Sequence, residues 1–178
     1  MNWNARLYLC INKLSGRYRW LDLFSRAGAQ WVIFGMAWWF GVDLFRVFEA
    51  DNRMVFLGMI LFGAMWGLGI FVSILIGLAV KEPRPYLKHP EVRLLFHPLS
   101  IWKSFPSDHA FSAFLFCFMA LVYGLPSVWI FLGLALWVAW GRVYSAVHYP
   151  FDIVGGASLA GLMAVLAYYL LIVVDLSF

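Results

Sequence analysis

The stretch Val55–Val80, VFLGMILFGAMWGLGIFVSILIGLAV, contains no charged side chain and no proline. As a helix rising 1.5 Å per residue it would extend about 39 Å, enough to cross the ~30 Å hydrocarbon core of a bilayer. A soluble domain has little use for such a segment, and the rest of the chain agrees with a membrane setting. Of 178 residues, 64% are hydrophobic and only 12% charged, with a mean hydropathy of +0.83. A soluble domain carries about a quarter charged residues. Nearly all of this chain must therefore dissolve in lipid, and nucleic acid is not an expected partner.

Working outward from that span, the chain divides into five predicted transmembrane helices: Ala27–Phe45, Val55–Val80, Pro106–Tyr123, Val128–Tyr144 and Pro150–Val174. The fold class is an all-α integral membrane protein, a bundle of about five spans forming one domain over residues 1–178. Gly124, Pro126 and Ser127 predict a tight turn, so the helices on either side run antiparallel. Gly63 with Gly67, and Gly156 with Ala160, are small residues four apart and are expected to let helices pack closely. Residues 1–24 lack the long apolar core and small-residue cleavage site of a signal peptide. They read as an interfacial amphipathic helix with Trp3, Leu7, Leu9, Ile11, Leu14 and Trp20 on its lipid side. Cys10 and Cys117 have neither metal-ligand nor disulfide spacing and read as ordinary thiols.

This threading brings three polar segments to one end of the bundle. The second span exits at Lys81, the loop Lys81–Phe105 stays on that side, and the following helical hairpin returns the chain beside it. The segments that meet are Lys81-Glu82-Pro83-Arg84-Pro85, Ser104-Phe105-Pro106-Ser107-Asp108-His109, and Gly141-Arg142-Val143-Tyr144-Ser145-Ala146-Val147-His148-Tyr149-Pro150-Phe151-Asp152. Ionisable residues at the ends of spanning helices are costly, so their concentration in one layer points to a site. Snorkelling and helix capping account for single members of the set and poorly for the whole.

Arg84 and Arg142 each offer a planar fork of donors that matches phosphate oxygens. Ser107 is placed to cap the third span, whose free amides and positive dipole end also favour an anion. Asp152 follows His148 by four positions and can take the proton of one ring nitrogen, leaving the other free to attack. His109 lies in the first turn of another helix facing the same mouth, so one histidine can be nucleophile and the other general acid.

These residues resemble the type-2 phosphatidic acid phosphatase superfamily, whose pattern is a Lys before Arg-Pro, then Pro-Ser-Gly-His, then Ser-Arg followed by His and Asp. Arg84-Pro85, Pro106-Ser107 with His109, and Arg142, His148 and Asp152 match it. Gly141 replaces a serine, Asp108 replaces a glycine, and Lys81 lies too close to Arg84 to match the family's lysine. Glu-Pro-Arg-Pro and Ser-Phe-Pro-Ser-Asp-His-Ala look like the bacterial branch that acts on undecaprenyl pyrophosphate, the bacitracin-resistance type.

The resemblance implies a lipid phosphatase or pyrophosphatase working through a phosphohistidine. In it His148 attacks, Asp152 orients, His109 protonates the leaving group, and Arg84, Ser107 and Arg142 hold phosphate, with Lys81 a further candidate and Asp108 unassigned. It implies no metal and no cofactor, a lipid phosphate or pyrophosphate as substrate, and a bacterial inner-membrane location. Alternatives are a phosphatase for phosphatidylglycerol phosphate or lipid A 1-phosphate, and a silent lipid-binding or transport protein, which would be expected to lose a histidine or the aspartate. Eleven Lys and Arg fall on the site's side and two, Arg46 and Arg53, on the other. The positive-inside rule makes the site cytoplasmic; the resemblance implies an outward-facing site, the expectation adopted here.

Overall fold

The computed structural model describes residues 3–48, 51–98 and 101–173, and among them the chain is helical with no strand. The elements are α1 (Trp3–Asn12), α2 (Arg19–Gln30), α3 (Val32–Val47), α4 (Asn52–Val80), the short α5 (Pro85–Lys88), α6 (Asp108–Val122), α7 (Val128–Tyr144) and α8 (Pro150–Val173). Two helices, α4 and α8, are long and apolar enough to cross a bilayer. The apolar α6 and α7, with 15 and 17 residues, are shorter. The expected end of the last span at Val174 lies outside the described residues.

The second to fifth predicted segments coincide closely with helices, and their ends have local causes. Asp51 starts α4 by accepting from the backbone N–H groups of Arg53 and Met54. Ser107 starts α6 in the same way, its Oγ accepting from Ala110 N at 3.4 Å. At the far end of α6, Gly124 adopts a left-handed conformation (φ +65°). The N–H of Leu125 then returns to Ala120 O and that of Gly124 to Leu121 O, the paired closure that terminates a helix and turns the chain into α7.

The first predicted span is corrected. Ala27–Phe45 is two helices meeting at Trp31, whose N–H still reaches Ala27 O at 2.8 Å, so the chain bends there without losing its bonding. The polarity of the chain changes at that point. Behind it lies α2, carrying Arg19, Asp22, Arg26 and Gln30, with Arg26 Nε donating to Gln30 Oε1 at 3.0 Å. Ahead lies the apolar α3. The bend lets α2 cross α7, where a Cβ on Gly28 would come within 2.5 Å of Trp137. One on Gly141 would meet Ala29 N and Ser25 O at 2.5 Å, which explains the glycine at that motif position.

The centre of the bundle is α6. Its Phe111, Leu115, Phe116 and Met119 are buried among Phe40 of α3, Met65 of α4, Phe131 of α7, and Leu159 and Met163 of α8. Small residues decide how near the helices come. A Cβ on Gly156 of α8 would lie 2.6 Å from Ser107 O and 2.9 Å from Phe111 N, so backbone packs on backbone. Gly63 and Gly67 have no such role, since nothing lies within 4 Å of a Cβ at either. Gly69 does it in their place, with the Phe111 ring occupying the space of its missing side chain.

The N-terminal segment also departs from expectation. Trp3 and Leu7 are exposed. Leu9 and Ile11, expected to face lipid, pack instead into a second apolar cluster with Tyr8, Val143 and Tyr149. Asn12, buried at the end of α1, donates to Arg93 O at 3.1 Å and Tyr144 O at 3.0 Å and accepts from Arg93 N. Thus α1 fastens two site-side segments together. Cys10 and Cys117 are both free thiols.

Candidate active site

The three polar segments do share one end of the bundle, around a cavity of about 390 Å³. Arg84, Asp108, His109, Arg142 and His148 line it, with Gln30, Trp31 and Phe34 from the α2–α3 bend and Phe96, His97 and Pro98 from the long loop. The lining therefore combines two arginines with the aromatic rings of Trp31, Phe34 and Phe96, the last lying 5.8 Å from the Arg142 guanidinium.

His148 is set by the end of α7. Val147 N–H bonds to Arg142 O and Ala146 N–H to Val143 O, the same paired closure as at Gly124. Here the left-handed residue is Ala146, at φ +66°, a conformation that costs a side-chain-bearing residue about 1 kcal/mol and accumulates at functional sites. The turn drops His148, only 3% exposed, between the two arginines. Arg84 Nη1 lies 3.4 Å and Arg142 Nη2 3.3 Å from His148 Nε2.

That contact favours one tautomer. Guanidinium groups only donate, so the Nε2 facing both of them is the bare nitrogen, and the ring proton sits on Nδ1. Nδ1 lies 3.4 Å from Asp152 Oδ2, an ion-pair distance with no hydrogen bond formed. The same carboxylate oxygen accepts from Ser104 Oγ at 2.5 Å and from Tyr149 N at 2.8 Å, which hold it beside the ring. The backbone closes the arrangement, with Ser107 N donating to Asp152 O at 3.0 Å. Nε2 thus lies between two cationic forks on the lining of the cavity, an arrangement that can bring a ring nitrogen and two fixed charges against one anion.

Each arginine is anchored by one backbone carbonyl, Arg84 by Val147 O and Arg142 by Ala29 O, both at 3.1 Å. Nε of each is buried without a hydrogen-bond partner. Burial draws Arg84 below its ordinary value, against the pull of Tyr86, Asp108 and Asp152. For His148 burial acts first, then Arg142 and Arg84, and together they hold it well below the usual histidine range.

The sign of the resulting pH dependence follows. A lowered value keeps the ring neutral, and so nucleophilic, as pH falls through about 6.5. In Arg84→Gln one lowering charge is gone, and the ring protonates at a higher pH. The acid limb of the kcat/KM profile is expected to move upward in that variant relative to wild type; an unmoved limb would show that His148 does not govern it.

Not every candidate reaches the cavity. His109, Arg84, Arg142 and His148 line it; Asp152 stands behind His148; Ser107 is fully buried and spends its hydroxyl on the α6 cap. Lys81 is exposed at the end of α4 in a left-handed conformation (φ +51°) and does not line the cavity. Two residues were present in the sequence reading without a role. Ser104, which holds Asp152, and Lys103, buried beside Asp108, sit in an irregular loop with no periodicity to reveal their direction.

The sequence pattern of the PAP2 superfamily matches residues 57–173, which include all three polar segments. The bacitracin transport permease protein BcrC of Bacillus licheniformis is 28% identical over 167 residues, 93% of this chain and 79% of that protein. The putative undecaprenyl-diphosphatase YbjG of Escherichia coli is 36% identical over 99 residues, 55% of this chain and 48% of that one. Among solved structures, Aquifex aeolicus LpxE is similar with a TM-score of 0.67 at 24% identity, over 95% of this chain and 96% of its own. A PAP2-type phosphatidylglycerolphosphate phosphatase of Bacillus subtilis gives 0.67 at 21% identity, over 94% and 83%. These two likenesses are likenesses of fold, and with the matched pattern they identify the chain as a member of the PAP2 superfamily.

Proposed function

We propose that this lipid phosphatase removes the terminal phosphate of undecaprenyl pyrophosphate, leaving undecaprenyl phosphate. The observation that carries the chemistry is the bare Nε2 of His148 between the forks of Arg84 and Arg142. The substrate class is supported by relatives named undecaprenyl-diphosphatase, YbjG above and BcrC of Bacillus subtilis, the latter 29% identical over 102 residues. The aromatic rim of Trp31 and Phe34 suits the start of a long apolar tail. A silent or transport protein has no use for the full set of His109, His148 and Asp152, and all three are present.

In the proposed reaction His148 Nε2 attacks the terminal phosphorus while the bond to the bridging oxygen breaks. His109 gives that oxygen its proton. Arg84 and Arg142 hold the phosphoryl oxygens as charge builds on them, and the amide end of α6, capped by Ser107, faces the same group. Asp152 keeps the Nδ1 proton in place and stabilises the cationic ring of the phosphohistidine. Water then attacks phosphorus, passes a proton to His109 and restores His148, releasing inorganic phosphate.

With purified protein, phosphate release from undecaprenyl pyrophosphate is expected to persist in EDTA, to be blocked by vanadate, and to exceed release from phosphatidylglycerol phosphate and lipid A 1-phosphate. Complete loss in EDTA, restored by a divalent ion, would sink the mechanism. Preference for one of the other lipids would replace the substrate. We assign the protein to the bacterial inner membrane with its site outward, five spans putting Phe178 on the cytoplasmic side. A reporter fused after Phe178 should therefore be active only if it works in the cytoplasm, and the reverse result would invert the sidedness.

A further inference from the structure

One ion pair beside the cavity has no part in that chemistry. Lys103 is 4% exposed, and its Nζ donates to Asp108 Oδ1 and Ser73 Oγ, both at 2.6 Å, and to Pro106 O at 3.2 Å. All three protons are used, as a buried ammonium requires. Its stem fills the space left by Gly77, where a Cβ would lie 2.5 Å from Cδ. Ser73 Oγ in turn donates to Asp108 Oδ1 at 2.6 Å, so that oxygen is held from two sides.

Asp108 faces the other way. Its side chain is 41% exposed and lines the cavity beside Arg84, His109, Arg142 and His148. A carboxylate on the wall of a pocket built for an anion opposes the anion, and nothing in the phosphoryl-transfer steps needs it. Its field reaches Arg84 and His148, where it counteracts the effect of burial.

We propose that Asp108 is a fixed counter-anion that weakens the pocket's hold on phosphate and so promotes release of the product, with Lys103 as the positioning residue that pins it. Two buried arginines without an opposing charge would retain a product carrying close to two negative charges. A carboxylate held rigidly on the lining of the same cavity offsets part of that attraction, and in a site of low dielectric the offset is large. Lys103 limits the repulsion, because the pair sums to zero while its negative member stands nearer the cavity. The inference rests on reading the cavity as a phosphate site.

The two members of the pair should therefore fail in opposite directions. Inorganic phosphate is titrated into detergent-purified protein by calorimetry, and its competitive inhibition constant is measured in parallel. Asp108→Asn, which keeps the shape and loses the charge, should bind phosphate about tenfold more tightly and turn over more slowly. Lys103→Met should bind it about tenfold more weakly, and the double variant should return near wild type. A purely structural pair would weaken binding in both single variants, which would overturn the proposal. Should Lys103→Met fail to fold, the sign of the Asp108→Asn effect decides alone. If wild type itself binds no phosphate, the phosphate-site reading falls with it; if wild type binds and Asp108→Asn does not tighten, only the counter-anion is lost.

Discussion

His148→Ala is expected to lose about 10⁴-fold or more in turnover on every substrate, because it removes the atom that attacks phosphorus in the proposed reaction. His109→Ala should lose a comparable amount on a lipid phosphomonoester and regain much of it on an activated aryl phosphate. The difference lies in the leaving group. An alkoxide departs as a strong base and needs a proton, whereas an aryl oxide leaves with little help. The geometry favours this division, since it is Nε2 of His148 that both guanidiniums approach, at 3.3 and 3.4 Å. Steady-state rates of both variants on both substrate types settle it, and rescue of His148→Ala by the better leaving group would reverse the two roles.

The second large effect belongs to the arginines. Arg142→Ala and Arg84→Ala should each lower kcat/KM by about 10²- to 10³-fold, the range for removal of a preorganised charged donor from a developing anion. Arg142 also holds Ala29 O, at the end of α2, so its loss should disturb the α2–α3 bend as well. Lys81→Ala, outside the cavity on an exposed helix end, should stay within about twofold of wild type, the scale of an ordinary surface change. Equal, near-total losses in Lys81→Ala and Arg84→Ala would show the lysine to be a ligand.

What could be read from sequence followed from lipid as solvent. Arg84, His109, Arg142, His148 and Asp152 stand at the ends of apolar runs, where a polar side chain can only turn toward the mouth, and alternation of spans then brings the ends together. The hairpin at Gly124 was equally open, because a glycine followed by Pro126 leaves few other conformations.

The bend at Trp31 was not. Ala27–Phe45 is apolar throughout except for Gln30 and Asp43, and the residues that hold the chain before the bend, Trp137 on Phe24 O and Arg142 on Ala29 O, come from more than a hundred positions away. Gly63 and Gly67 misled for a related reason: spacing places them on one face of α4 and says nothing about which face meets a neighbour. Ser104, though inside the second polar segment, and Lys103 gave no sign of their partners, since loop residues lack the periodicity that tells where a side chain points.

The clasp made by Asn12 bears on the order in which the protein is put together. Its partners are Arg93, 81 positions further along the chain, and Tyr144, 132 positions further. A ribosome delivers α1 first; its bonds to Arg93 can form once the long loop is made, but the bond to Tyr144 must wait until α7 is complete. The arginines, both histidines and Asp152 likewise come together only once α8 begins. Synthesis intermediates halted before α8 therefore carry His148 without Asp152, and the carboxylate that stands behind its ring arrives only with the last helix.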